Sequence, residues 1–168
     1  MSTIQRENMP YRPCVGIMLI NQEGLVWTGR RSSLAGAPPL AQPWQMPQGG
    51  IDENETPLEA AFRELKEETG TNEAQVLAET PEWLYYDLPD ESLGWALKGK
   101  YRGQKQKWFA MDYQGQDEVF NLGTGNKAEF DQWAWRPAQE LIHMVASFKR
   151  EVYEQVVAEF ASLLQQRN

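Results

Sequence analysis

The stretch that decides the fold is "GGIDENETPLEAAFRELKEETG", residues 49–70. Its second half carries the signals of a helix. Thr56 can cap the first turn, Pro57 suits the first helical position, and Glu59 completes a T-x-x-E capping box. Gly70 is of the residue type that commonly ends helices. The sequence therefore predicts one capped helix directly after a turn that contains two glycines.

One side of this predicted helix is apolar, because four residues recur at helical spacing and can pack on a core: Leu58, Ala61, Phe62 and Leu65. Glu64, Glu67 and Glu68 lie on the flank beside them, at positions i, i+3 and i+4. Like charges at this spacing destabilise an isolated helix by roughly 0.2–0.5 kcal/mol per pair. We expect Arg63 and Lys66 to point to the other side, which leaves the cluster uncompensated.

Two interpretations of the acidic flank are open. It is either a solvated helix surface or a site for a hard divalent cation such as Mg²⁺ or Mn²⁺, which prefers carboxylate oxygen. A solvated face usually intersperses lysines with its glutamates, so the cation site is favoured. Gly49 and Gly50 lie just ahead of the helix, where glycine allows either a plain turn or a close approach of the backbone to a ligand.

Length and composition fit one globular domain over residues 1–168, with residues 1–10 as a flexible N-terminal tail. Hydrophobic residues make up 41% and charged residues 24%, and no apolar run is long enough to span a membrane. The polar N-terminus and the single cysteine, Cys14, suggest a cytoplasmic protein without disulfides. A net charge of −8 argues against an extended nucleic-acid surface but permits a local site for an anionic substrate.

The rest of the chain predicts an α+β fold. Six segments are predicted strands, of which the first two form a hairpin: "CVGIMLI", "LVWTGR", "AQVLAET", "EWLYYDL", "KWFAMDY" and "FDQWAWR". Residues 32–43 contain three prolines and are predicted to form a loop. "PAQELIHMV" and "FKREVYEQVVAEFASLLQQ" are predicted helices, the second long and amphipathic.

The spacing of the central stretch resembles the box of the Nudix hydrolases. Eight positions match it: Gly49, Glu55, Arg63, Glu64, Leu65, Glu67, Glu68 and Gly70. Thr71 departs from the pattern, which usually has an aliphatic residue there. Segments outside the box, such as "WQMPQGGID", "GQKQKWF" and "SFKREVY", are similar to the branch of bacterial RNA pyrophosphohydrolases and plant-type diadenosine tetraphosphate hydrolases.

This resemblance implies an α/β/α sandwich with a mixed sheet and a catalytic helix that follows a Gly-Gly loop. It implies metal-dependent hydrolysis of a phosphoric anhydride bond with Mg²⁺ or Mn²⁺, and more than one ion when substrate is bound. Five residues are the expected metal site: Glu64, Glu67, Glu68, Gly49 and Glu129. The four glutamates and Arg63 are the expected catalytic residues, with Arg63 holding a carboxylate by a bidentate pair. Glu129 is either a further ligand, a general base, or a plain glutamate at a strand end.

Cationic and aromatic residues elsewhere are candidates for substrate contact. The cations expected to meet phosphate are Arg12, Arg30, Arg31, Lys105, Lys107 and Lys149, with Arg150 beside the last. Tyr86 and Phe148 are expected to stack on a base, or to belong to the core. For any single cation, an ordinary surface charge is the alternative. His143, the one histidine, is expected to be structural.

Three functions are weighed. The first is removal of pyrophosphate from 5′-triphosphorylated RNA. The second is asymmetric hydrolysis of dinucleoside polyphosphates such as diadenosine tetraphosphate to ATP and AMP. The third is a catalytically silent nucleotide sensor, which the intact glutamates and Arg63 disfavour. The expected partner is therefore a nucleotide polyphosphate or an RNA 5′ end; protein partners and oligomeric state do not follow from the sequence.

Overall fold

The computed structural model describes residues 6–32, 42–93, 99–123 and 128–165. Eight strands and four α-helices follow one another along these ranges: β1 (Tyr11–Ile20), β2 (Val26–Arg31), β3 (Trp44–Gln45), β4 (Gln48–Gly50), α1 (Pro57–Thr69), β5 (Ala74–Glu79), β6 (Leu84–Asp87), β7 (Gly103–Tyr113), β8 (Phe130–Arg136), α2 (Ala138–Leu141), α3 (Arg150–Glu159) and α4 (Ala161–Gln165). Every predicted strand is present.

The sheet is mixed, and its centre is the parallel pair β1 and β7, which runs in register from Tyr11 opposite Gly103 to Ile20 opposite Asp112. All other pairs are antiparallel. β2 continues the sheet beyond β1 and pairs with β3 and β8, whereas β5 and β6 both pair with β7. β4 pairs with the first half of β1, so it brings the two glycines next to the centre of the sheet.

Each face of the sheet is covered by its own hydrophobic core. Alternation along β1 sends Val15 and Ile17 to the α1 side, where Leu65 of the helix packs. Met18 points to the opposite side and packs with Tyr153 of α3. Helices therefore cover both faces, which confirms the predicted α/β/α arrangement.

The start and end of α1 are as predicted. The Thr56 hydroxyl accepts a hydrogen bond from the Glu59 backbone N–H, and the Glu59 carboxylate accepts one from the Thr56 backbone N–H. Gly70 ends the helix with a φ of 86°. The predicted apolar stripe is wrong at one position, because Leu58 is 41% exposed and Ala60 is buried instead. The buried side of α1 therefore includes Ala60, Ala61 and Leu65, and it faces β1 and β4.

The C-terminal helices are shorter than predicted. "PAQELIHMV" forms only one turn, Ala138–Leu141. The predicted long helix starts with a 3₁₀ turn at Ser147–Lys149 and is interrupted at Phe160, between α3 and α4. Phe160 is 1% exposed, and its φ and ψ of −102° and 12° are not helical. Burial of this ring in the core thus outweighs the continuous amphipathic pattern.

Two predictions fall largely outside the described residues. The Pro-rich loop over 32–43 is described only at its ends, and the flexible tail over 1–10 only from Arg6, where one 3₁₀ turn contacts Asp90. Among the helices that the structure describes, none combines the length and the apolar character needed to cross a membrane.

Candidate active site

The carboxyl group of Glu64 lies directly over the backbone of β4. Gly49 pairs with Val15 in the β4–β1 ladder, and a Cβ atom at Gly49 would come within 2.1 Å of the Glu64 Cδ atom. Glycine is therefore required here because the strand backbone passes close to the Glu64 side chain, so a plain turn is excluded at this position. At the next residue, a Cβ atom on Gly50 would lie 2.4 Å from the guanidinium of Arg12.

Arg63 connects the acidic side chains, which corrects the expectation that it points away from them. Its Nε and Nη2 atoms donate to the two carboxylate oxygens of Glu55, at 2.8 and 2.9 Å. Its Nη1 atom donates to Glu64 at 2.8 Å, and Nη2 also donates to the Gly50 carbonyl at 2.7 Å. Hydrogen bonds from Arg63 hold the pKa of Glu55 down, to about 2. Arg63 thus ties the loop ahead of the helix to the carboxylate over β4.

Glu68 is buried, which corrects its placement on an exposed flank. Its side chain is 7% exposed in the folded chain, and its Oε2 atom accepts a hydrogen bond from the Gln48 backbone at 3.1 Å. Burial raises the pKa of Glu68 well above its usual range, and the charges of Glu64 and Glu129 raise it further. Burial likewise raises the pKa of Glu64. Without a bound cation, Glu64 and Glu68 therefore lack enough hydrogen bonds and positive charge around them to stabilise their charged forms.

Glu129 and Glu67 complete the acidic group, since the charges of both act on Glu64. Glu129 precedes β8 and lies 3.5 Å from the Nε atom of Arg31. Glu67 has a side chain 58% exposed, with a 3.4 Å contact to Arg63. Within the described ranges, no three acidic, histidine or cysteine side chains are gathered as a ready metal site. The four glutamates nonetheless offer the oxygen donors that Mg²⁺ and Mn²⁺ prefer, and a cation between them would relieve the repulsion that raises two of their pKa values.

Cations and aromatic rings lie near the acidic group on the α3 side of the sheet. Lys149 is 3% exposed, donates to the Gln45 side chain at 3.0 Å, and has a pKa lowered by burial to about 7. Its Nζ atom lies 6.0 Å from the Tyr86 ring and 5.8 Å from the Phe148 ring. Charges on Arg31 and Glu68 also act on the Lys149 pKa, so these groups share one environment.

The predicted substrate residues divide into two groups. The residues of the first group lie near one another, on the α3 side of the sheet: Arg12, Arg31, Tyr86, Phe148 and Lys149. Tyr86 is 7% exposed and its ring packs against Phe148 at 5.5 Å, so any base would meet Phe148 first.

The other predicted cations are not brought to this group. Arg30 forms a bidentate pair with Asp131, at 2.8 and 2.9 Å. Lys105 and Lys107 lie on the other face of β7, where both approach the Trp83 ring. Arg150 donates to the Ile142 carbonyl at 2.9 Å, which makes a structural contact.

A row of glutamines, of which Gln104 and Gln106 are buried, lies beside the group of Tyr86, Phe148 and Lys149, which we call the Tyr86 pocket. Sequence reasoning missed this row. The indole N–H of Trp108 donates to Gln106, whose amide donates in turn to Gln104 and Gln48, at 2.8 and 3.0 Å. The signal was present in "GQKQKWF", because Gln104, Gln106 and Trp108 alternate along one strand and so share a face. Lys105 and Lys107, which lie between them, were instead interpreted as phosphate contacts.

A family comparison agrees with this geometry. Residues 10–156 match the model of the NUDIX domain. The chain belongs to the Nudix family. The match includes β1, the glycines of β4, the whole of α1 and most of α3.

Curated Nudix relatives match this chain over nearly their whole length. An RNA pyrophosphohydrolase of Mesorhizobium japonicum is 53% identical, over 95% of this chain and 95% of its own. The protein of the same name from Agrobacterium fabrum is 52% identical, over 96% of this chain and 98% of its own.

Solved structures of low sequence identity share the fold. A C. elegans Ap4A hydrolase in a binary complex superposes with a TM-score of 0.60 at 17% identity, covering 89% of this chain and 98% of that one. The E. coli dihydroneopterin triphosphate pyrophosphohydrolase gives 0.63 at 18% identity, covering 89% and 99%. These likenesses confirm the Nudix fold.

Proposed function

We propose that this Nudix protein is an RNA 5′-pyrophosphohydrolase, which removes pyrophosphate from 5′-triphosphorylated RNA and leaves a monophosphate. The observation that carries the proposal is the intact acidic group around Gly49, on a chain that is 53% identical to an RNA pyrophosphohydrolase over 95% of both. The site accepts an anionic end without an extended basic surface, which suits a chain of net charge −8.

The carboxylates hold the cation in this proposal. Glu64, Glu67, Glu68 and Glu129 supply oxygen ligands, and the Gly49 carbonyl is a further candidate. A bound Mg²⁺ or Mn²⁺ would neutralise charge on the phosphate oxygens and strengthen the attacking water as a nucleophile.

Other residues position these groups and the substrate. Arg63 holds Glu64 over β4 and fixes Glu55 at the same time, so it acts as a positioning residue. Arg12, Arg31 and Lys149 supply positive charge where the phosphates of the RNA end would lie. Phe148 offers a ring to the terminal bases, with Tyr86 supporting it from beneath. The predicted cytoplasmic location stays a prediction.

Substrate competition tests the function. Purified protein is given 5′-triphosphorylated RNA and diadenosine tetraphosphate side by side, with Mg²⁺ or Mn²⁺ and then with EDTA, and kcat/KM is measured for each. We expect RNA to be preferred and both reactions to need the metal. A clear preference for diadenosine tetraphosphate would instead assign the dinucleotide activity. Failure on both substrates with metal present would favour the silent sensor.

A single substitution tests the ligand assignment. Glu67→Gln is expected to lower kcat by about 10²–10³, comparable with the loss of other groups that stabilise charge in active sites. The fold should survive because the Glu67 side chain is exposed. Glu154→Gln, an exposed glutamate on α3, is the matched control and should keep full turnover. Near-full turnover of Glu67→Gln would show that the ligands are misassigned.

A further inference from the structure

We propose that the surface formed by the exposed Tyr85 and the half-buried Trp83 and Lys105 binds nucleotides of the RNA downstream of its 5′ end. We call these three residues the outer aromatic surface. The inference rests on the proposed function, because it assigns a second contact region to the same RNA substrate. It differs from the expectation for Lys105, which placed this lysine at the phosphates of the 5′ end.

The outer aromatic surface lies on the opposite face of the sheet from the Tyr86 pocket. Tyr85 is paired with Lys105 across the β6–β7 ladder, and Tyr86 is paired with Gln104. Because successive residues of a strand point to opposite faces, Tyr85 and Lys105 share the face that Tyr86 does not. The Lys105 Nζ atom lies 4.8 Å from the Trp83 ring centroid, so Lys105 is in contact with Trp83.

This surface lies outside both hydrophobic cores, although the Tyr85 ring packs edge-to-face on Tyr11 with ring centroids 4.9 Å apart. Tyr85 is 52% exposed, and neither Tyr85 nor Trp83 belongs to a core cluster of the described residues. Lys107 also approaches Trp83, but it donates to the Thr80 and Pro81 carbonyls and so holds a loop. Lys105 has no such bond and no ion pair with any residue the structure describes, which leaves its charge available to a ligand.

An RNA chain can reach this surface from the pocket over the edge of the sheet. In the described part of the chain, β6 pairs with β7 alone, so its other side is an edge. Tyr86 and Tyr85 are consecutive residues of this edge strand and face the two sides. Because β6 is the edge strand, a bound chain has to pass around only one strand to go from one face to the other. An RNA whose 5′ end binds beside Phe148 would therefore reach Tyr85 and Lys105 once it has passed around this edge.

The chemistry of the surface matches single-stranded nucleic acid. Aromatic faces stack on bases of any sequence, and a neighbouring lysine meets the phosphates between them. On a chain of net charge −8, a lysine beside one exposed and one half-buried ring is a local exception to the overall charge. The surface is therefore expected to add affinity for length rather than for base identity.

Substrate length tests the inference. Tyr85→Ala and Lys105→Gln are compared with wild type on a 5′-triphosphorylated dinucleotide and on a longer unstructured RNA with the same first two nucleotides. Loss of one stacked base is expected to lower kcat/KM for the longer RNA about tenfold in Tyr85→Ala, with the dinucleotide unchanged. Lys105→Gln should reduce the slope of log affinity against log salt by about 0.7 for the longer RNA. Lys66→Gln, which removes one exposed charge from α1, is the matched control.

Two results would contradict the proposal that the outer aromatic surface binds RNA. One is an equal loss on both substrates, which would assign these residues to the site itself. The other is no loss on either, which would leave another partner, such as an acidic protein, for this face. Anisotropy of labelled RNA in EDTA gives a second readout that needs no turnover. Wild type that hydrolyses neither RNA would refute the proposed function, and unchanged RNA binding by both variants would separately refute the surface.

Discussion

Arg30 and Arg31 are neighbours in β2 that have different surroundings. Arg31 lies 3.5 Å from Glu129 and acts on the pKa of both Glu68 and Lys149, whereas Arg30 is paired with Asp131. We predict that Arg31→Gln lowers kcat/KM about tenfold to a hundredfold, because a hydrogen bond to a charged group contributes about 1.5–3 kcal/mol.

Arg30→Gln is the matched control. It removes the same charge from the same strand and should change kcat/KM by less than about twofold, because an exposed ion pair contributes roughly 0–1 kcal/mol. Steady-state kinetics on triphosphorylated RNA make the comparison. Equal losses in the two variants would contradict the assignment of Arg31 to the site.

Lys149 predicts a pH dependence of substrate binding. Burial lowers its pKa to about 7, so the ammonium form that attracts phosphate is lost as the pH rises through neutrality. KM of the wild type should therefore rise between about pH 6 and pH 8. Lys149→Arg stays protonated across this range and should flatten the profile, measured with metal at saturating concentration. A wild-type KM that does not change over the range would contradict the prediction.

For single residues, the sequence predicts which residue types form the site better than it predicts where their side chains point. The glutamates and Arg63 could be found by spacing, because their separation along one helix is local information. The burial of Glu68 and the turn of Arg63 towards Glu55 could not, since both depend on where β4 and its preceding loop pack. Lys105 is a different case, because alternation along the strand alone could have placed it on the face opposite to Gln104.

The helix α1 depends on its capping box as well as on its packing. Thr56→Ala removes the side-chain acceptor of the Glu59 backbone N–H. We predict a loss of about 1 kcal/mol in the free energy of unfolding, or a Tm lower by about 2–4 °C. Thermal unfolding followed by circular dichroism measures it. Thr56→Ser keeps the acceptor and should restore the wild-type Tm; an equal loss in both variants would contradict the role of the cap.

Element boundaries followed the sequence where signals were local. Both ends of α1 could be predicted from its caps, and each predicted strand is present. The interruption at Phe160 could not be predicted, because it arises from a ring that enters a core formed by distant segments. Leu58 was misplaced for a related reason: the side of α1 that packs is set by β1 and β4.

The acidic group lowers the stability of the metal-free protein, although the proposed reaction needs it. The raised pKa of Glu68 means that the folded protein retains a proton which the unfolded chain releases, so stability falls as the pH rises through that pKa. Glu68→Gln should therefore raise the Tm of the metal-free protein near neutral pH, with about 2–4 °C for each kcal/mol. The gain should vanish below about pH 4, where the unfolded glutamate is protonated as well.

The same variant should respond differently to metal. A cation at one hundred times its dissociation constant stabilises the folded state by about 2.7 kcal/mol. We expect Mg²⁺ or Mn²⁺ to raise the Tm of wild type and to leave that of Glu68→Gln nearly unchanged, as measured by differential scanning fluorimetry with EDTA as the reference. An equal shift in both proteins would place the cation elsewhere.

The buried thiol of Cys14 has a practical consequence for experiments on this chain. It is fully buried in the centre of the sheet, and burial raises its pKa to about 12. Thiolate is the reactive form of cysteine, so maleimides and mild oxidants should leave this residue untouched in the native state. One cysteine engineered at an exposed position would then accept a fluorophore selectively, without first replacing the natural one.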